Sequence, residues 1–172
     1  MADPDPKSVR FEVKAETTAS PEQVIEAAGT DFSPRRAEIW PNVRKSGLTV
    51  HDDGPNYVDA TEYGTGPARL IWERSRYEWS EPGVVRATVT DSNALLPGTT
   101  FELRASPRDG GSTVEMILDR RFRPAGWGRV GYALNRFFGA RGFAFMLRQA
   151  LKGVEKRQRS REASPDPRPG SD

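Results

Sequence analysis

Cysteine is absent from the chain, which excludes disulfides, thiolate nucleophiles and thiolate metal sites. Histidine occurs once, as His51. A multi-histidine metal centre is therefore excluded, and any Ser-His-Asp triad would hang on this one side chain. It stands at an expected strand end beside Asp52, Asp53 and Gly54, where a solvated turn residue is the simpler reading than a catalytic base. No metal site and no cofactor are expected. No run of about 18 apolar residues occurs, so no membrane-spanning helix is expected. The chain opens Met1-Ala2-Asp3-Pro4, without a basic and then apolar leader, and the expected location is the cytoplasm.

Acid is nearly missing from one stretch. From Arg120 to Arg161 twelve Lys and Arg face a single acid, Glu155, a local charge of +11 in a chain of net charge +2. The remainder carries fourteen bases and twenty-three acids, a charge of −9. Such a basic segment is most often a solvated face. It also suits an anionic membrane surface; nucleic acid is not expected as a partner.

Turn formers and large rings are plentiful: Gly 16 and Pro 14, with four Trp, four Tyr and eight Phe. A chain of 172 residues fits one domain, since about 100–200 residues per domain is the usual size. Residues 1–7 and 160–172 are rich in proline and charge and are expected as disordered tails around a domain at 8–159.

Within the domain, Val9, Phe11, Val13 and Ala15 alternate with charged neighbours, the pattern of a half-buried strand. Ser20-Pro21-Glu22-Gln23 carries an N-cap, a first-turn proline and a capping-box glutamine, so a short helix is expected to about Ala28. Ser33-Pro34 opens a second, which Pro41 stops after Trp40. Six strands then follow, at 48–51, 57–63, 69–79, 84–91, 99–105 and 113–122, separated by clusters such as Asp52-Asp53-Gly54 and Glu81-Pro82-Gly83. Short connections between consecutive strands argue for an antiparallel meander. The last element is a helix over 128–159, with Ala133, Phe137, Ala140, Ala144, Leu147, Leu151 and Val154 on one face. Its first half is apolar on other faces as well, through Leu134, Phe138, Phe143, Phe145 and Met146. A helix apolar on several sides is usually enclosed on several sides.

One strand, two short helices, six antiparallel strands and a long terminal helix is the order of the helix-grip fold. The chain resembles the START-like (SRPBCC) superfamily, which includes Bet v 1-type proteins and polyketide cyclases. The marks that carry the resemblance are Ser20-Pro21-Glu22-Gln23-Val24, Trp40-Pro41, Glu81-Pro82-Gly83 and Asp109-Gly110-Gly111-Ser112-Thr113, and it covers about residues 8–158. It implies an α+β fold, a curved antiparallel sheet of about seven strands around the C-terminal helix. It further implies a hydrophobic cavity between sheet and helix. These marks are architectural, and fold alone does not assign function.

Strand parity then suggests the wall of that cavity. Phe101, Leu103 and Ala105 share one face; so do Val114, Met116, Leu118 and Arg120; so do Val85, Ala87, Val89 and Asp91. If these faces meet the helix, Arg120 and Asp91 lie at the edges of an apolar pocket, where a few polar groups orient a ligand. The strand around Trp72 and Tyr77 is ambiguous, because residues five apart cannot share a face without a bulge. The expected ligand wall is Trp72, Tyr77, Val89, Phe101, Leu103, Met116, Leu118 and Arg120 from the sheet, with Leu134 and Phe137 from the helix. No catalytic residue can be assigned. Gly126-Trp127-Gly128-Arg129-Val130-Gly131 spells G-x-G-x-x-G but lacks the following parallel strand and acid of a dinucleotide site, and reads as a strand-to-helix joint.

The leading expectation is a carrier or sensor of a small hydrophobic molecule. A polyketide aromatase/cyclase-like enzyme is the second, with Arg74 or Arg76 on a substrate oxygen and Tyr77 moving a proton. A peripheral membrane or interaction protein using the basic helix is the third.

Overall fold

The computed structural model describes residues 7–163; most of the expected tails lies outside them, while residues 160–162, expected in the C-terminal tail, continue the terminal helix. Strand β1 (Ser8–Thr17) leads to helix α1 (Pro21–Val24). Ser20 starts that helix as a capping box: its Oγ accepts the Gln23 N–H at 3.3 Å, while Gln23 Oε1 accepts the Ser20 N–H at 2.8 Å. Both donors would otherwise be left unpaired at the helix end. The chain runs on through a π-helical turn, Ile25–Thr30, into α2 (Arg36–Ile39), which ends at Trp40, ahead of Pro41.

Six strands follow: β2 (Thr49–Gly54), β3 (Tyr57–Tyr63), β4 (Trp72–Glu78), β5 (Val84–Ser92), β6 (Thr100–Arg108) and β7 (Gly111–Arg121). They form one antiparallel sheet in the order β1-β7-β6-β5-β4-β3-β2. Consecutive strands pair through short turns, and the first strand closes against the last. Together with the terminal helix this is the helix-grip architecture.

Two irregularities change which side chains face inward. In β2 the pairing skips His51, which stands exposed on an edge strand and shares a 2.8 Å hydrogen bond with Thr61 Oγ1. Between β4 and β5 the register passes from Ser75↔Val89 to Arg74↔Asp91, leaving Thr90 as the extra residue of a bulge. Because side chains alternate with a period of two, one extra residue reverses the faces beyond it. Asp91 is therefore exposed and 3.3 Å from Arg123, and Ser92 is buried in its place. The expectation that Asp91 borders the pocket is corrected by this bulge.

Helix α3 runs over Trp127–Glu162 but breaks at Gly139, whose φ of +45° and ψ of −151° are not helical. That combination is open essentially to glycine alone. The single continuous face expected across 133–154 thus becomes two arms with different surroundings. On the second, Leu147, Ala150, Leu151 and Val154 are buried in the main core with Val13, Val24, Ile39, Val114, Met116 and Leu118. On the first, Tyr132 packs edge-on to Phe122 at 5.8 Å, beside a small cluster of Phe122, Val89 and Leu95. The G-x-G-x-x-G stretch is the joint that starts this arm. A Cβ on Gly128 would sit 2.0 Å from the Arg123 carbonyl oxygen, and one on Gly131 3.2 Å from the Phe122 ring. Among the described residues no helix is long and apolar enough to cross a membrane.

Candidate ligand cavity

Two strands and α2 build a polar floor under the helix. On β3, Val58, Ala60 and Glu62 alternate inward. On β4 the inward parity is Glu73, Ser75 and Tyr77, and α2 brings Arg36 over them. Arg36 and Glu62 are buried, at 4% and 7% exposure. Arg36 Nε donates to Glu62 Oε1, and Tyr77 Oη donates to Glu62 Oε2 at 2.5 Å. The Arg36 guanidinium lies 4.1 Å from the centre of the Phe32 ring and 5.3 Å from that of Tyr77. The Ala28 carbonyl accepts from Arg36 Nη1 at 3.4 Å and from the Trp40 indole N–H at 2.7 Å. A buried ion pair survives desolvation when its remaining hydrogen-bonding capacity is met in this way. Burial works against the charge on Arg36, but Glu62 and Tyr77 together outweigh it and hold the guanidinium more basic than usual. Burial, then Glu62, pushes the Tyr77 hydroxyl well above its ordinary pKa, so it stays a donor.

Above this floor opens a cavity of about 390 Å³ between the sheet, the β3–β4 connection and both arms of α3. Its volume falls within the roughly 300–1,000 Å³ of small-molecule sites. Ile71, Leu95, Phe122, Leu134, Phe143 and Met146 form much of its apolar wall, while Phe138 and Phe145 contribute side chains that also meet solvent. A deeper recess of about 60 Å³ reaches down toward Arg36, Trp40, Tyr77 and Phe101. Asn42, Val43, Glu62, Glu73, Leu95, Arg120, Phe143 and Met146 border both spaces, so the recess continues the cavity.

Arg120 and Glu73 sit at the junction, 3.6 Å apart. The Arg120 guanidinium is also 5.6 Å from the centre of the Phe143 ring. Glu73 retains 26% side-chain exposure, and it lines both parts of the cavity. Withdrawal from bulk water raises its carboxyl above the usual range; Arg120 opposes this and Glu62 adds to it. Two carboxyl groups and two guanidinium groups therefore meet in this polar region. Its balance of charge suits a neutral polar group better than a free anion.

Of the residues expected in the wall, Arg120 borders both parts of the cavity, Leu134 the outer one, and Tyr77, Val89, Phe101, Met116 and Leu118 the recess. Three stand elsewhere. Trp72 belongs to the opposite parity of β4 from Glu73 and Tyr77, and its backbone ties to Ser92 and Asn93. Leu103 is fully buried in solid core. Phe137 points into solvent at 87% exposure, because the break at Gly139 turns its arm out of the face it would share with Leu147. Arg74 and Arg76 face away from the recess; Arg74 grips Asp59 through two bonds of 2.8 Å.

Sequence reasoning missed Glu62, Arg36 and the role of Glu73. For Glu62 a signal existed, since Val58-Ala60-Glu62 places a carboxylate on an apolar parity. Arg36 lies in a four-residue helix, too short for a periodic pattern. Among the described residues no group of three or more His, Cys, Asp and Glu is placed to hold a metal ion.

An open antiparallel sheet gripping a helix over an apolar cavity defines the helix-grip class. The chain belongs to the polyketide cyclase / dehydrase and lipid transport family, whose model matches residues 8–159. Among solved structures it is similar to the Zhui aromatase/cyclase from Streptomyces sp. R1128, with 17% identity and TM-score 0.71 over 90% of this chain and 98% of that one. A protein of Thermus thermophilus gives 13% identity and TM-score 0.70 over 87% and 99%. A START superfamily protein from Mycobacterium smegmatis gives 12% and 0.60 over 88% and 97%. At these identities the likeness shows the fold alone. No curated protein matches the chain in sequence.

Proposed function

We propose that the chain binds a small, neutral, oxygen-bearing apolar molecule, as a carrier or sensor. The apolar body lies against Ile71, Leu134, Phe143 and Met146, and a carbonyl or hydroxyl oxygen meets Arg120 and Glu73. One observation carries this reading: a cavity of about 390 Å³ with a largely apolar wall that ends on the Arg120–Glu73 ion pair. Apolar walls supply affinity through burial, and the few polar groups select orientation. The family's description, with its cyclase and lipid-transport members, supports it.

The test compares a bicyclic aromatic ketone with its parent hydrocarbon by fluorescence titration, in the parent chain and in Arg120→Met. A hydrogen bond to a charged group contributes about 1.5–3 kcal/mol, so ketone affinity should fall at least tenfold in the variant. Hydrocarbon affinity should hold. Equal binding of the two compounds, unchanged by Arg120→Met, would remove Arg120 from the site.

A second reading, ring closure or dehydration of a poly-carbonyl chain, is favoured by Glu73 alone. A carboxyl that burial raises above its usual range, beside a guanidinium, can donate a proton to a carbonyl oxygen that the guanidinium polarises. Single-turnover incubation with a poly-β-ketone mimic separates the two readings, because a carrier returns the mimic unchanged.

A further inference from the structure

The cavity mouth itself is unusual in what it shows to solvent. Phe138 and Phe145 line the cavity yet are 61% and 56% exposed, Phe137 beside them is 87% exposed, and Leu70 on the β3–β4 connection is 52% exposed. Leu70 precedes Ile71 of the cavity wall in the chain, and Phe137 precedes Phe138. Large apolar side chains exposed at a cavity mouth mark an interaction site. Its surroundings are basic. Arg136 and Arg141 bracket Phe137 and Phe138, and Arg148 follows one turn beyond Phe145, all three exposed. Among the described residues none of the three has a carboxylate within 4.0 Å, in contrast with Arg157 and Arg161 further along the helix. Between Arg120 and Val154 the chain holds no acid at all.

We propose that the cavity entrance docks on an anionic lipid bilayer, with Phe137, Phe138, Phe145 and Leu70 entering the interface and Arg136, Arg141 and Arg148 meeting phosphate headgroups. Aromatic and aliphatic groups flanked by arginines are the composition that holds a helix in the plane of a membrane surface. An acidic protein would satisfy the arginines; the bilayer is favoured because exposed rings and arginines follow one another along a single helix, the composition of an interfacial helix. The proposal goes beyond the cavity reading and depends on it only in giving the docked entrance a cargo to exchange.

The full chain is sedimented with phosphatidylcholine vesicles and with vesicles containing about one-third phosphatidylglycerol, at low and high salt. Pelleting with the anionic vesicles at low salt, weakened by salt, is expected, because surface charge attraction is screened within a Debye length. Arg136→Ala with Arg141→Ala should lower partitioning roughly thirtyfold, from about 1 kcal/mol per basic residue at an anionic surface. Phe137→Ala should lower it roughly tenfold through lost apolar burial. Phe137 and the two arginines line no part of the cavity, so these variants should keep parental ketone affinity. A chain that binds ketone but stays in the supernatant with anionic vesicles overturns the docking proposal alone. So do variants that pellet as the parent does. A chain that pellets but binds no ketone overturns the cavity reading and leaves docking standing.

Discussion

The two arms of the terminal helix, before and after Gly139, contain similar apolar side chains and use them oppositely. In the second arm Leu147, Ala150, Leu151 and Val154 are at most 3% exposed. Its far end is fastened by polar contacts: Arg157 to Asp31 at 2.5 Å, Arg161 to Glu26 at 2.8 Å, and Glu155 accepting from Thr17 Oγ1 at 2.7 Å. In the first arm Val130, Phe137 and Phe138 are 40%, 87% and 61% exposed, and the arm's inner side borders empty volume. One helix thus anchors the fold with the later turns of its second arm, while its first arm and the start of the second roof the cavity. The difference teaches that apolar content on a helix does not say whether it fills a core, lines a void or meets a partner; its surroundings decide.

The sharpest way to break this comparison is to truncate one side chain in the anchoring arm. Leu147→Ala should cost about 2–5 kcal/mol in urea unfolding, the range for a fully buried leucine. A cost below about 1 kcal/mol would mean that the second arm is not the anchor described. Next in size is Gly139→Ala, which places a side chain on a backbone with φ near +45°. It should cost roughly 1–3 kcal/mol if the break is kept. If the helix straightens instead, the stability loss shrinks and ketone affinity changes, since residues on both sides of the break line the cavity. Smallest is Phe137→Ala, which should change stability by no more than about 0.5 kcal/mol, as for other solvated positions. A large loss there would show that the first arm is packed after all.

Much of the fold was legible because its punctuation is chemical. The Ser20 capping box, the Trp40-Pro41 stop and the Glu81-Pro82-Gly83 and Asp109-Gly110-Gly111 turns all act within a few residues, where sequence and structure are tied directly. Inward parity on β6 and β7 was equally readable, since it needs only a period of two. What escaped depended on single residues with distant effects. Thr90 as a bulge turned Asp91 outward, and Gly139 turned Phe137 into solvent, though neither residue type is rare in a regular element. The polar floor escaped for another reason. Arg36 and Glu62 are 26 positions apart, and nothing local says that a charge on a short helix will find its partner on a strand's buried side.

The cavity exists only in the folded chain, and that has a consequence for how much folded chain there is. A molecule that fills it binds the native state and not the unfolded one, so it shifts the folding equilibrium by mass action. At a hundred times its dissociation constant the gain is about 2.7 kcal/mol. A domain of ordinary stability has roughly 5–15 kcal/mol in hand, so occupancy is a sizeable share of the total. Since unfolded chains are what proteases remove, the lifetime of the protein would rise and fall with the supply of its guest.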